Sequence, residues 1–263
     1  MYPEIHLGPV TIQTFGLMFA LAFLAAGALV GRRLKEIGKP VDWAYEMGFA
    51  ALIGGVVGSR IYFIVQNYET VKHDLFGSLF SGSGLVWYGG AIGGALAVLL
   101  WAWYRGFISL SLLDLAAPAL AIGYAIGRVG CQLSGDGDYG KPWNGPWAMS
   151  YPNGTVPTDR TVHPAPVYET LAMGLGAWIL WQLRDRFRAG VLFAVYLVYA
   201  GAERFLVEFI RRNDHVALGL TAPQLESIGI MAVGVAWLYV ARRRHGTLYR
   251  AGGPLEADVE SAT

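Results

Sequence analysis

Long apolar runs, separated by short polar or glycine-rich segments, dominate the chain. A helix needs about 20 mostly apolar residues to cross the hydrocarbon core of a bilayer. Seven windows of the sequence approach that length with few charged residues inside them. These windows are Val10–Val30, Trp43–Val65, Leu85–Tyr104, Leu112–Val129, Val167–Leu183, Val191–Ile210 and Ala222–Val240. The pattern predicts an all-α, polytopic membrane protein with about seven transmembrane helices.

The segments outside these windows suggest one domain with a large loop. We expect residues 1–250 to form a single integral membrane domain and residues 251–263 to form a polar tail. The longest segment between two windows runs from Cys131 to Pro166 and is rich in Gly, Pro, Asp and aromatic residues. A loop of this length is usually functional or disordered. We therefore expect an extracytoplasmic arm at about 131–166.

Lys and Arg are distributed unequally between the two sides of the predicted bundle. If there are seven spans, one side carries Arg32, Arg33, Lys35, Lys39, Arg105, Arg184, Arg186, Arg188, Arg242, Arg243, Arg244 and Arg250. The opposite side carries Lys72, Lys141, Arg160, Arg211 and Arg212. Loops rich in Lys and Arg remain in the cytoplasm. The sequence therefore predicts an extracytoplasmic N-terminus and a cytoplasmic C-terminus.

Composition narrows the class further. Hydrophobic residues make up 54% of the chain and charged residues 15%, whereas a soluble domain carries about 25% charged residues. The net charge of +1 gives no reason to expect a nucleic-acid partner. The single cysteine, Cys131, excludes an intrachain disulfide. We expect no cleavable signal peptide, because the first residues lack a positive region.

Three arginines fall within or at the ends of predicted spans: Arg60, Arg128 and Arg204. Charge at bilayer depth costs at least ~2.5 kcal/mol on insertion scales, so it is usually paired or functional. Arg204 has Glu208 four residues later on the same helix face, which allows a purely structural ion pair. Because the arginines come from three different predicted helices and guanidinium groups suit phosphate, we favour a site for a phospholipid head group.

Small and acidic residues suggest two further features. Three glycine pairs lie four residues apart, a spacing that lets helices approach closely: Gly54 and Gly58, Gly89 and Gly93, Gly123 and Gly127. Asp136 and Asp138 lie in the long loop, where they can bind a metal or cap turns. We favour turns, and we predict no metal and no cofactor.

Several segments, in order, resemble the prolipoprotein diacylglyceryl transferase family. The stretch Gly127-Arg128-Val129-Gly130-Cys131-Gln132-Leu133-Ser134-Gly135-Asp136, followed by Tyr139-Gly140, is similar to its signature G-R-x-G-N-F-x-N-G-E-x-x-G. Other segments resemble family motifs as well: Phe15-Gly16-Leu17-Met18, Gly58-Ser59-Arg60-Ile61, Trp87-Tyr88-Gly89-Gly90, Asp114 through Pro118, His163-Pro164-Ala165-Pro166-Val167-Tyr168-Glu169, and Arg204-Phe205-Leu206-Val207-Glu208-Phe209 with Arg211. The resemblance covers nearly the whole chain.

The resemblance implies a reaction in the bacterial inner membrane. A diacylglyceryl group moves from phosphatidylglycerol to the lipobox cysteine thiol of a prolipoprotein signal peptide, a thioether forms, and glycerol phosphate leaves. It implies catalytic roles for Tyr88, Arg128, Arg204 and His163. It also implies substrate contacts, made by Phe15, Arg60, Gly89, Gly90, Cys131, Ser134, Asp136, Gly140, Tyr168, Glu169, Tyr199 and Glu208.

The sequence departs from the family pattern at several of these positions. Tyr88 stands where the family often has a histidine, Cys131 replaces asparagine, and Asp136 replaces glutamate with one extra residue before Gly140. Tyr88 can therefore take the thiol proton or only orient the lipid, with His163 as the other candidate base. A diverged paralogue, a non-enzymatic phospholipid-binding protein and an acyl carrier at Cys131 are the alternative functions.

Overall fold

A computed structural model describes residues 1–68 and 86–250 of the protein. Lys72, the predicted window start Leu85 and the predicted tail at 251–263 lie outside the described residues. Within them are seven helices, which we label α1 to α7. They are Thr14–Glu36, Trp43–Gln66, Trp87–Tyr104, Leu110–Ser134, Ala165–Leu183, Val191–Glu208 and Ala222–His245. Each predicted apolar window overlaps one helix, which confirms a mostly helical protein.

Four of these helices are long and apolar enough to cross a membrane: α1, α2, α4 and α7. The apolar part of α3, Tyr88–Tyr104, is slightly shorter. Helix α6 is 18 residues long and carries three charged residues near its end, Glu203, Arg204 and Glu208. The helices therefore support a polytopic membrane protein, and the count of seven spans stays a prediction.

Three short antiparallel hairpins accompany the helices, and the all-α fold predicted from the sequence did not include them. Strand β1 (Glu4–Leu7) pairs with β2 (Val10–Gln13), β3 (Met149–Tyr151) with β4 (Thr158–Val162), and β5 (His215–Ala217) with β6 (Leu220–Thr221). Val10 therefore belongs to a strand rather than to the first span, and α1 begins at Thr14. Polar Thr11 and Gln13 alternate with apolar Val10 and Ile12, as strand geometry favours.

The described chain divides into two compact units. The first contains Met1–Val30 and the described residues from Leu113 onward, and the second contains the described part of Gly31–Leu112. In the first unit, small side chains of α4 at four-residue intervals, Ala117, Ala121 and Ala125, pack with Met173 of α5 and Leu192 of α6. The Asp114 carboxylate accepts hydrogen bonds from the backbone N–H groups of Gly190 (2.7 Å) and Phe193 (2.8 Å), and so holds the start of α6.

Helices α2 and α3 make up most of the second unit and pack closely through glycines. A Cβ atom at Gly58 would collide with the backbone of Gly89 and Gly93, and one at Gly54 would collide with the carbonyl of Gly93. This contact confirms the packing role predicted for these four glycines. The same prediction is wrong for Gly123 and Gly127, because a Cβ atom at either would meet no described atom within 4 Å.

In the first unit, the basic α5–α6 loop meets the residues that follow α7. The N–H of Arg188 donates to the carbonyl of Leu248 (3.1 Å), the N–H of Arg250 donates to that of Arg186 (3.0 Å), and the rings of Phe187 and Tyr249 stack at 5.4 Å. Two of the predicted cytoplasmic segments thus lie together.

We expect reporter fusions after Arg33 and after Arg188 to give cytoplasmic signals, because Arg33 lies in the basic last turn of α1 and Arg188 lies in the basic loop after α5. A fusion after Arg160, in the long loop, serves as the extracytoplasmic control. An extracytoplasmic signal at Arg33 or Arg188 would contradict the predicted orientation.

Candidate functional site

One end of the first unit brings together the end of α4, the long loop, the start of α5 and the residues after α6. The N–H of Gly140 donates to the carbonyl of His163 (2.8 Å), and the N–H of Lys141 donates to that of Ile210 (2.7 Å). A Cβ atom at Gly140 would lie 2.6 Å from the Ile210 oxygen and 2.9 Å from the His163 Cβ. Only glycine lets the loop approach both neighbours this closely.

The loop turns back immediately after α4. Gly135 (φ +59°) and Gly137 (φ +95°) adopt left-handed backbone conformations that glycine favours. The N–H groups of Thr155 and Val156 donate to the carbonyls of Ser134 and Gly135, both at 2.9 Å. These two hydrogen bonds hold the loop segment that carries Asp136 and Asp138 against the end of α4.

Arg128 and Arg211 share two carboxylates at this end. Arg128, on α4, forms an ion pair with Asp138 and lies 3.3 Å from Oε2 of Glu169. Arg211, after α6, lies 2.5 Å from Asp138 and 3.6 Å from the same Glu169 oxygen. The Glu169 side chain is completely buried, and its other oxygen accepts a hydrogen bond from the Tyr124 hydroxyl (2.9 Å). Burial in this set raises the strength of each ion pair.

Glu208 joins Arg204 to the same group. Nη1 of Arg204 lies 2.7 Å from Oε2 of Glu208, and Nε of Arg211 lies 4.0 Å from that oxygen. Asn213 donates to the other Glu208 oxygen (2.6 Å). We call Arg128, Arg204, Arg211, Asp138, Glu169 and Glu208 the ionic cluster. Sequence reasoning chose four of its members as site residues and missed Arg211 and Asp138.

The charges of the cluster shift the pKa values of its loop members. Burial raises the pKa of Asp138, but Arg128 and Arg211 outweigh it and hold that pKa below its usual range. Burial lowers the pKa of Arg211, but Asp138 and Glu169 outweigh it and raise that pKa. The stability that Asp138 contributes is therefore present above the unfolded-state pKa of about 3.9 and is lost as the pH falls through the lower folded-state value.

Cys131 lies beside the cluster, on the last turn of α4. Nη1 of Arg128 approaches its sulfur to 3.8 Å, and Asp136 shares a side-chain hydrogen bond with it. Burial raises the pKa of Asp136. Side-chain ligand atoms of Cys131, Asp136 and Asp138 lie within 4.8 Å of one another, a spacing that is compatible with a metal site. The Arg128 guanidinium already supplies a positive charge to this group.

An open cavity of about 410 Å³ adjoins the cluster. Its lining residues are Gly137, Asp138, Tyr139, Arg211, Arg212 and Asn213. The guanidinium of Arg212 stacks over the ring of Tyr139 at 4.3 Å and donates to the carbonyl of Gly137 (3.1 Å). Two arginines and one aspartate give the cavity a net positive lining that suits an anion.

Three other predicted residues of this unit make contacts between or within its elements. A Cβ atom at Gly130 would lie 3.4 Å from the ring of Phe15, which places Phe15 against the end of α4. The hydroxyl of Tyr199 donates to the carbonyl of Ala172 (2.5 Å) and so joins α6 to α5. The Ser134 side chain is buried and donates to the carbonyl of Cys131 (3.3 Å).

His163 and Tyr168 form an aromatic group in the loop. The His163 ring stacks on Trp143 at 4.3 Å, and its Nδ1 lies 3.3 Å from the Tyr168 hydroxyl. Trp147 donates its indole N–H to the same hydroxyl (2.7 Å). Burial lowers the pKa of His163, which favours the neutral form of the ring.

Arg60, Tyr88, Gly89 and Gly90 belong to the second unit. Arg60 is buried, Tyr88 in the first turn of α3 is 44% exposed, and the hydroxyl of Ser59 donates to the carbonyl of Val86 (2.9 Å). Gly89 closely contacts Gly58 and Tyr62 of α2.

Comparison with known proteins identifies the family. A family model described as prolipoprotein diacylglyceryl transferase matches residues 4–240. The chain is 31% identical to the phosphatidylglycerol–prolipoprotein diacylglyceryl transferase of Clostridium tetani over 238 residues, which cover 89% of this chain and 94% of that protein. It is 33% identical to the Methylobacillus flagellatus enzyme of the same name over 257 residues, which cover 91% and 96% of the two chains. The chain belongs to the prolipoprotein diacylglyceryl transferase family.

The two longest motifs that resemble this transferase family contain most of the ionic cluster. The signature segment supplies Arg128, and the segment from Arg204 to Arg211 supplies three members. Arg211 belongs to that second motif, and its position there, three residues after Glu208, is the sequence feature that could have identified it as a site residue. Asp138 carried no such signal, because it lies at the position where the loop has one residue more than the family pattern.

Replacing Cys131 with serine or asparagine is expected to leave substantial transferase activity. The family signature has asparagine at this place, so a thiol is not required by chemistry shared across the family. Activity of both variants, together with the mass of the intact protein after incubation with phosphatidylglycerol, provides the measurement. A covalent lipid adduct on Cys131 would favour the acyl-carrier alternative instead.

Proposed function

We propose that this chain transfers the diacylglyceryl group of phosphatidylglycerol to the lipobox cysteine thiol of a prolipoprotein, with release of glycerol phosphate. The ionic cluster is the observation that carries the proposal. Three arginines converge at the end of a lipid-embedded bundle, where the anionic part of a phospholipid is the available ligand. The names of the relatives supply both substrates, phosphatidylglycerol and prolipoprotein.

The arginines would stabilise the leaving phosphate. As the bond from carbon to the phosphate oxygen breaks, that phosphate gains a second negative charge, and preorganised guanidinium groups lower the free energy of this state. In the resting structure each arginine contacts a carboxylate. Asp138 is the most exposed of these acids, with 31% of its side chain accessible, whereas the Glu169 and Glu208 side chains are completely buried. An entering phosphate therefore competes with Asp138 first.

The proposed setting is the bacterial inner membrane, with the cluster at the extracytoplasmic end. The helices α4 and α6 end at the cluster, while the basic α5–α6 loop and the residues after α7 lie together elsewhere in the unit. This arrangement agrees with an N-terminus outside and a C-terminus in the cytoplasm. The proposed reaction uses no cofactor.

Replacing Tyr88 with phenylalanine is expected to lower the turnover number, and replacing it with histidine is expected to restore it, because the family pattern often has a histidine at this position. The pH–rate profiles of both variants and of His163→Ala provide the measurement. If His163 were the base, the rate would fall as the pH drops through its lowered pKa, below about 6.5. Unchanged turnover in Tyr88→Phe would remove Tyr88 from the mechanism.

Complementation tests the proposed function in cells. Expression of the chain in a bacterium depleted of its own diacylglyceryl transferase should restore growth and lipoprotein modification. Arg128→Ala, at equal abundance in the membrane, should not. A wild-type chain that accumulates in the membrane without restoring modification would favour a diverged paralogue or a non-enzymatic phospholipid-binding protein.

A further inference from the structure

Glu203 is a buried carboxyl group that the ionic cluster leaves without a partner. It precedes Arg204 on α6 and is 8% exposed. Three buried carboxylate oxygens of the described residues accept no hydrogen bond: Oε2 of Glu169, Oε2 of Glu208 and Oε1 of Glu203. The first two each have an arginine nitrogen within 4.0 Å. The Glu203 oxygen has no such ion pair among the described residues.

Charged groups from α4, α5, α6 and the segment after α6 lie near Glu203. Its charged neighbours are Arg128 on α4, Glu169 on α5, Arg204 on α6 and Arg211 after α6. The titratable phenols nearby are Tyr124 on α4 and Tyr196 and Tyr199 on α6. Helix α7 packs against α6 through Ser227, Met231 and Gly234. Glu203 is therefore a further carboxyl group beside the three arginines of the ionic cluster.

The charges of the cluster are balanced without Glu203. Arg128, Arg204 and Arg211 offset Asp138, Glu169 and Glu208, and each of these acids touches at least one arginine. Burying a charge without a partner is costly. A carboxylate that lacks donors is consequently a better proton acceptor than one whose charge is held by ion pairs. Asp136 also lacks an ion pair, but it accepts a hydrogen bond from the Asp138 N–H and shares one with Cys131. The Glu203 Oε1 atom can gain a proton without breaking an ion pair or a hydrogen bond among the described residues.

We infer that Glu203 is the proton acceptor of the transfer step, an inference that rests on the proposed function. The thiol proton of the prolipoprotein moves to the Glu203 carboxylate, and the sulfur forms its bond to the diacylglyceryl carbon. The bond from that carbon to the phosphate oxygen breaks, and its electron pair stays on the departing glycerol phosphate. Glu203 then releases the proton to solvent as glycerol phosphate leaves.

This assignment keeps the local charge constant during the reaction. Before transfer, the region holds one negative charge on Glu203 and one on the phosphodiester. After transfer, Glu203 is neutral and the phosphomonoester carries both charges. Because both groups lie among the same three arginines, the guanidinium groups stabilise the negative charge at its origin and at its destination.

Glu203→Gln tests the inference, because it removes the ionisable oxygen and keeps the volume of the side chain. We expect the kcat for a lipobox peptide to fall about 100-fold or more, while the KM for phosphatidylglycerol changes little. Glu203→Asp should recover part of the kcat with a displaced acidic limb of the pH–rate profile. Glu4→Gln, an exposed glutamate in the N-terminal hairpin, is the matched control.

The outcomes separate this inference from the proposed function. A wild-type protein that transfers no lipid contradicts the function itself. An active wild type together with a Glu203→Gln variant whose kcat lies within about threefold of it overturns the inference. If Glu203→Gln does not fold, the Glu203→Asp profile decides, because an acidic limb identical to that of the wild type also overturns it. Tyr88→Phe and His163→Ala should retain that limb.

Discussion

Replacing Arg128 with alanine is expected to lower diacylglyceryl transfer by about 100-fold or more, the loss seen when one preorganised donor to a developing anion is removed. Arg128 holds both the loop carboxylate Asp138 and the buried Glu169. Arg204→Ala should have a comparable effect, because Arg204 is joined to the same cluster through Glu208. Initial rates with a lipobox peptide and phosphatidylglycerol vesicles provide the measurement.

The fold should survive the loss of Arg128. Arg211 still contacts both Asp138 and Glu169, so neither carboxylate becomes isolated. Lysine should rescue poorly at both positions, because an ammonium group cannot reproduce the planar fork of a guanidinium group. Arg160→Ala, which removes an exposed arginine from the same loop, is the matched control and should remain active. Normal transfer by Arg128→Ala would contradict the phosphate-site interpretation.

Gly140→Ala is expected to reduce both stability and transfer. The added methyl group would lie 2.6 Å from the Ile210 carbonyl, which accepts the hydrogen bond from the N–H of Lys141. Overpacking of this kind costs about 1–3 kcal/mol. The displaced contact joins the long loop to the segment that carries Arg211, so we expect at least a tenfold loss of turnover.

Thermal unfolding and initial rates of Gly140→Ala should be compared with those of Gly174→Ala. Gly174 lies within α5, and a Cβ atom there would meet no described atom within 4 Å. The control should therefore remain as stable and as active as the wild type. Equal behaviour of the two variants would mean that close approach at Gly140 does not position the cluster.

The apolar windows predicted the helices because span length is set by bilayer thickness and is visible in composition alone. The hairpins were missed because strands of two to five residues leave little periodic signal. The packing role of Gly54 and Gly58 was predictable from spacing, yet a Cβ atom at Gly123 or Gly127, which have the same spacing, would meet no described atom within 4 Å. The spacing of residues along the chain predicts which of them share a helix face, and the tertiary structure determines which residues pack against that face.

The residues of the candidate site were likewise only partly predictable from the sequence. Arg128 and Arg204 were predictable because charge within an apolar helix is costly and therefore informative. Asp138 and Glu203 were not, because their roles depend on distances between segments far apart in the chain. Asp138 resembled a turn residue, and it instead lies between Arg128 and Arg211. In the sequence, Glu203 resembled one more charge near Arg204. Only the folded chain shows that its buried oxygen has no hydrogen-bond partner among the described residues.

Purified protein in nanodiscs, supplied with phosphatidylglycerol labelled in its diacylglyceryl part and a lipobox peptide, tests the central claim most directly. The proposed function predicts that the peptide gains the mass of one diacylglyceryl group on its cysteine, in equal amount to the glycerol phosphate released, and that Arg128→Ala and Arg204→Ala lose this product. Binding of phosphatidylglycerol by the wild-type protein without a modified peptide would contradict it.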